Sequence, residues 1–156
     1  MSDVEPAVVT VEPVTTAVIR RVVATDRIGE FFDGAFRSIA ATATGQAASI
    51  AGPAFALYHG MPADTVDLEV GFPTVRPVQP VGEVTAGSLP GGRVARAVHA
   101  GGYDGLGAAW QQLGAWIGEQ GGAPGAVFWE VYVTEPNPQM DPADLRTELN
   151  WLLADR

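Results

Sequence analysis

The chain contains no cysteine, which excludes disulfide staples, thiolate metal sites and cysteine nucleophiles together. It contains no lysine either. Its nine basic residues are all arginine, set against 18 acidic side chains, for a net charge of −9 over 156 residues. A surface of that sign repels phosphate, so direct nucleic-acid binding is not expected, and an anionic membrane surface offers no attraction. Histidine is scarce: His59 and His99 stand far apart, and no metal site is expected. No apolar run reaches the roughly 18 residues of a membrane-spanning helix. The first residues lack the basic and apolar regions of a secretory signal, so the expected location is the cytoplasm. The phosphate loops GxGxxG and GxxxxGK[ST], the GxSxG elbow, HExxH and the EF-hand loop are all missing. Metal-dependent or phosphoryl-transfer chemistry is therefore not expected, and neither is a cofactor.

What is present describes a folded chain. An apolar fraction of 47% with 17% charged residues supports a real core, and the length suits one domain. Nineteen glycines and 12 prolines cut the chain into short elements. After a polar leader over residues 1–7, Thr15–Ala24 is β-branched and reads as a strand. Thr25 or Asp26 is placed to cap a helix running to about Ala43, with Ile28, Phe32, Ala35 and Ile39 as its apolar stripe. Ala54–His59 and Val66–Phe72 read as strands. Pro73–Gly82 carries three prolines and reads as a linker.

The second part repeats the order of the first. Arg93–His99 reads as a strand, Gly105–Gln120 as a helix with Leu106, Trp110, Leu113 and Ile117 on one stripe, and Val127–Val133 and Leu145–Leu153 as two further strands. Aligning Tyr58 with Tyr132 also aligns Phe55 with Trp129 and Leu57 with Val131. The expected halves are about 14–73 and 83–153. Two such halves would form one antiparallel sheet carrying both helices, an α+β fold.

The candidate chemistry lies on strands. Alternation puts Phe128, Glu130 and Tyr132 on one face of Val127–Val133 and Trp129, Val131 and Val133 on the other. Glu130 is then either a solvated residue on an exposed sheet face or a carboxylate among aromatics, awaiting a cation or carrying a raised pKa. Glu69 and Glu148 stand once each on the last strand of either half. A pseudo-twofold relation would bring both towards the groove between the halves, and three carboxylates there would favour cations. His99-Ala100-Gly101-Gly102-Tyr103 ends a strand and enters a helix, with Tyr103 at its start. Most of the four tryptophans, Trp110, Trp116, Trp129 and Trp151, are expected in the core.

These residues resemble a known family. The run Leu89-Pro90-Gly91-Gly92-Arg93-Val94-Ala95, followed by His99 to Tyr103, Trp129-Glu130-Val131-Tyr132 and Thr147-Glu148-Leu149, is similar to the gyrase-inhibitor-like (GyrI-like) small-molecule-binding domain over residues 8–153. That domain also forms the effector-binding part of multidrug-responsive transcription regulators. The resemblance implies a duplicated β-α-β-β fold of SHV2-like type with a ligand cleft between pseudo-twofold halves. It also implies a pocket in which Glu130 and Tyr132, as the family's E-x-Y pattern, meet lipophilic cations with Tyr103 and Glu148 nearby. Tyr58, Glu69 and Trp110 complete the candidate ligand-binding set.

The regulators carry an N-terminal helix-turn-helix, for which the residues before Val8 leave no room, so a stand-alone binding domain for hydrophobic, often cationic, polyaromatic molecules is expected. Two alternatives stay open. One is a hydrolase opening strained rings such as cyclopropanes, with Glu130 as general base. The other is an interaction protein that binds gyrase or another protein partner.

Overall fold

A computed structural model of the chain describes residues 4–60, 63–102, 105–134 and 141–154. The elements in chain order are β1 (Val4–Val11), β2 (Val14–Ala24), α1 (Ile28–Gly45), β3 (Phe55–Tyr58), β4 (Thr65–Pro73), β5 (Thr85–Leu89), β6 (Gly92–Ala100), α2 (Leu106–Glu119), β7 (Pro124–Tyr132) and β8 (Arg146–Leu153). All eight strands form one antiparallel sheet in the order β1-β6-β8-β7-β3-β4-β2-β5. The fold is α+β, and β3 pairs with β7 at its centre.

The order reads the same from both ends. β3-β4-β2 on one side matches β7-β8-β6 on the other, and the registers match with it. Leu57 faces Glu69 as Val131 faces Glu148, and Tyr58 faces Leu68 as Tyr132 faces Thr147. Tyr58 and Tyr132 are therefore equivalent positions, as the sequence alignment has them.

Each half also has a leading strand that the sequence reading did not identify. β1 opens the first half yet pairs with β6 of the second, while β5 opens the second half and pairs with β2 of the first. The stretch read as a polar leader thus enters the sheet from Val4. Short links, Glu12-Pro13 and Pro90-Gly91, carry the chain from each exchanged strand into its own half and cross against each other. A Cβ on Gly91 would lie 2.6 Å from the Pro13 ring, so glycine is what lets the links pass. The crossing draws the two outer ends of the sheet together, and the sheet curls around Val18, Phe55, Leu57, Leu89, Val94 and Trp129.

Both helices pack on the opposite face. α1 lies on β2 and β4, and α2 on β6 and β7, leaving β3–β7 in the groove between them. In α1 the buried stripe is Phe31, Ala35, Ile39 and Ala43, so Phe31 takes the core place expected for Phe32, which turns towards the groove. Neither Thr25 nor Asp26 caps α1: the residues 25–27 form a short 3-10 turn, and the Thr25 hydroxyl donates to the Ala63 carbonyl instead. In α2, Ala109, Leu113 and Ile117 are buried. The proline-rich linker is more than a tether, because Val78 enters the α1 core, joined there by Val84 just beyond the linker. Among the tryptophans only Trp129 is buried; Trp110, Trp116 and Trp151 are partly exposed, which corrects the expectation that most of the four lie in the core. No helix among the described residues is long and apolar enough to cross a membrane.

Candidate functional site

Register places one carboxylate on the symmetry axis. Ala56 and Glu130 pair directly across β3 and β7, and they are also equivalent positions of the two halves. The pseudo-twofold axis therefore passes between them. One strand supplies a methyl group and the other a glutamate, both buried, with Glu130 only 5% exposed. Two glutamates there would set like charges face to face in a low-dielectric site. The alanine leaves the room that one carboxylate fills.

Neutral donors hold that carboxylate. Trp110 Nε1 of α2 donates to Glu130 Oε2 at 2.8 Å. Tyr132 donates its hydroxyl to Oε1 at 2.9 Å. Tyr58, the mate of Tyr132 across the axis, also lowers the Glu130 pKa through its hydroxyl. Among the described residues Glu130 has no ion-pair partner. Burial pushes its pKa above the ordinary glutamate value, and the Trp110, Tyr132 and Tyr58 hydrogen bonds pull it partly back. The Tyr58 phenol is raised in turn, first by its own burial and then by the Glu130 charge beside it.

Aromatic rings run outward from the carboxylate in two directions. On the second-half side Tyr58 stacks on Phe128 with centroids 4.9 Å apart and planes 7° apart. Phe128 meets Trp110 at 4.8 Å and Trp151 at 5.3 Å, and Trp110 meets Trp151 edge-on at 5.6 Å. On the α1 side Tyr132 faces Phe32 at 6.2 Å, Phe32 meets Phe36 at 5.5 Å, and Phe36 meets Phe72 at 5.5 Å. Such offset and edge-to-face pairs present negative ring faces and positive edges in fixed directions. Phe32, Phe36, Tyr58, Phe72 and Tyr132 are only partly buried, so these rings line the groove rather than fill the core. Two surface cavities lie away from these rings. One of about 510 Å³ runs between α1 and the Val81–Val84 turn, and one of about 290 Å³ lies at the end of α2.

The structure sorts the expected site residues. Glu130, Tyr132, Tyr58 and Trp110 come together as described. Glu69 and Glu148 do not join them: each pairs with a residue whose side chain enters the inner core, Leu57 and Val131, so both carboxylates point to the opposite face of the sheet. There Glu69 meets His59 Nε2 at 3.0 Å, while Glu148 lies 3.4 Å from Arg96 Nε and accepts from Asn150 at 3.1 Å. The expected three-carboxylate groove is thus a single carboxylate, because Glu69 and Glu148 share a face with their partners Leu57 and Val131, and alternation along β3 and β7 sends that face away from Glu130. Tyr103 lies outside the described residues. The sequence reading missed Phe32, Phe36 and Phe72 as groove residues and Trp151 as a neighbour of Trp110. The signal for the first pair was their four-residue spacing, one step off the buried stripe of α1.

The family model for the GyrI-like small molecule binding domain matches residues 4–153. No curated protein matches the chain. Among solved structures, the C-terminal domain of EcmrR superposes with a TM-score of 0.85 at 17% identity, over 98% of this chain and 99% of that one. EcmrR in its complex with DNA matches with a TM-score of 0.85 at 16% identity, over 97% of this chain and 58% of the other, so this chain spans little more than half of that protein. A hydrolase from Listeria innocua matches with a TM-score of 0.67 at 11% identity, covering 98% of this chain and 93% of the hydrolase. SAV2435 bound to tetraphenylphosphonium gives 0.67 at 11% identity, over 96% and 94%. With nearly its whole described length matched and the same fold in these structures, the chain belongs to the family of GyrI-like small molecule binding domains.

Proposed function

We propose that this domain binds hydrophobic, cationic, polyaromatic molecules in the groove over β3–β7, with Glu130 as the charge they neutralise. The observation that carries this reading is the buried Glu130 carboxylate, which has two neutral donors, Trp110 and Tyr132, and no cationic partner among the described residues. A buried charge of this kind is costly until a cation reaches it. The surrounding rings supply the rest of the attraction. A desolvated cation–π contact contributes about 2 kcal/mol, and a few such contacts with stacking reach the roughly −8 kcal/mol of a micromolar complex. Stacking reads flatness and area rather than a hydrogen-bond pattern, so the groove accepts many ligands. The tetraphenylphosphonium held by SAV2435, a protein of the same fold, supports the ligand class.

Titration with rhodamine 6G and with a neutral aromatic of similar area tests the reading. The expected result is saturable rhodamine binding that falls at least tenfold in Glu130→Gln, with the neutral ligand nearly unaffected; equal losses for both would remove charge from the explanation. The same site supports a second reading, hydrolysis of a strained electrophilic ring, because the raised pKa makes Glu130 a stronger base and a structure of the same fold is a hydrolase. Under it, Glu130→Gln retains substrate binding and loses turnover.

A further inference from the structure

Thr147 of β8 is fully buried, and its hydroxyl has no hydrogen-bond partner among the described residues. An unpaired buried hydroxyl is costly, and native folds rarely keep one without a use. It stands on the same face as Glu130. Thr147 pairs directly with Tyr132, two residues along β7 from Glu130, and on its other side with His99 of β6. Glu130 and Thr147 are thus diagonal neighbours across one strand pair.

The duplicated fold supplies its own control. The position equivalent to Thr147 in the first half is Leu68, which faces Tyr58 as Thr147 faces Tyr132. Leu68 is fully buried and packs into the α1 core. The strand pair therefore folds with an apolar residue at this place, and nothing in the packing of the second half demands a hydroxyl. Tyr132, the β7 partner of Thr147 on the same face, is only partly buried and has its ring 6.2 Å from that of Phe32 across the groove.

We infer that Thr147 is a second recognition point of the groove, hydrogen-bonding a polar group at the edge of a ligand whose cationic or aromatic centre meets Glu130. The inference rests on the groove being the ligand site. A ligand reaches Thr147 when the Tyr132 ring turns off the strand. Diagonal positions of an antiparallel pair lie roughly 7–8 Å apart, which sets the spacing between the ligand's centre and its polar group. The favoured class is therefore a flat cation with a carbonyl, ester or N–H at its periphery, rather than a bare lipophilic cation.

The test uses the full chain, two probes and two variants. Rhodamine 6G carries ester and N–H groups, whereas tetraphenylphosphonium carries no hydrogen-bonding group. Thr147→Val is expected to weaken rhodamine binding about fivefold to tenfold, the scale of one hydrogen bond. It should leave tetraphenylphosphonium binding unchanged and leave the melting temperature equal or higher. Glu130→Gln weakens both probes. Unchanged affinity for both probes in Thr147→Val overturns the inference while Glu130→Gln still upholds the groove. A lower melting temperature in Thr147→Val overturns it as well, because the hydroxyl would then be paired in the folded protein. Binding of neither probe by the wild-type chain overturns both readings together.

Discussion

The two halves of this protein build the same strands in the same register and use them differently. Tyr58 and Tyr132 are equivalent and both lower the pKa of one carboxylate, yet the carboxylate belongs to the second half and faces Ala56 of the first. Thr147 stands where the first half has Leu68, and Asn150 stands where it has Gly71. At these positions the first half supplies apolar bulk and close backbone approach, and the second carries polar atoms. A duplicated fold brings two copies of every residue to its axis, and a charge on the axis is tolerable only once. The asymmetry at Ala56 and Glu130 is what turns a symmetric sheet into a binding site.

The strongest way to break this comparison is to restore the symmetry. Ala56→Glu sets a second carboxylate against Glu130 at a fully buried position. The cost should be about 3–5 kcal/mol, the scale of an uncompensated buried charge, and the melting temperature should fall by roughly 10 °C or more. Ala56→Glu combined with Glu130→Ala moves the charge to the first half, and most of the lost stability should return. If the double variant stays as unstable as the single one, crowding rather than charge is the cause.

Gly71→Ala tests the difference in backbone approach. A Cβ there would lie 2.0 Å from the Ala17 carbonyl oxygen, so β2 and β4 must separate locally. A loss of about 2–3 kcal/mol in chemical denaturation is expected, within the range for overpacked core positions. The equivalent Asn150 carries a side chain at its place, and a stability change within experimental error for Gly71→Ala would show that both halves accept one.

The smaller effects concern protons. Because the folded-state pKa of Glu130 lies above its unfolded value, the folded state holds its proton longer as pH rises. Stability therefore declines as pH climbs from the ordinary glutamate range through the raised value, and Glu130→Gln removes that slope from the melting curves. Cation binding follows the opposite course, fading as pH falls through the same raised value. Tyr58→Phe and Tyr132→Phe each delete a hydroxyl that lowers the Glu130 pKa, so both should move the midpoint of cation binding upward in pH. Equal shifts sharpen the pairing of the two tyrosines, whereas a shift in only one variant places the carboxylate off the axis.

Much of this was legible in the chain. β-Branched runs, helical stripes and glycine–proline breaks marked six of the eight strands and both helices, since these signals act over a few residues. The edge strands β1 and β5 escaped, because each is short or mixed in character and is held by pairing with the other half. The alternation of Phe128, Glu130 and Tyr132 put the right three residues on one face, and the Tyr58–Tyr132 alignment held in the sheet register.

Sequence by itself determined that the protein is an acidic, cysteine-free α+β domain with a glutamate alternating with Phe128 and Tyr132 along one strand. The tertiary structure decided that Glu69 and Glu148 turn away from Glu130, that Phe32 and Phe36 line the groove, and that Trp110 reaches the carboxylate. Alternation fixes which residues share a face within one strand; only the register between strands fixes which faces and which halves meet.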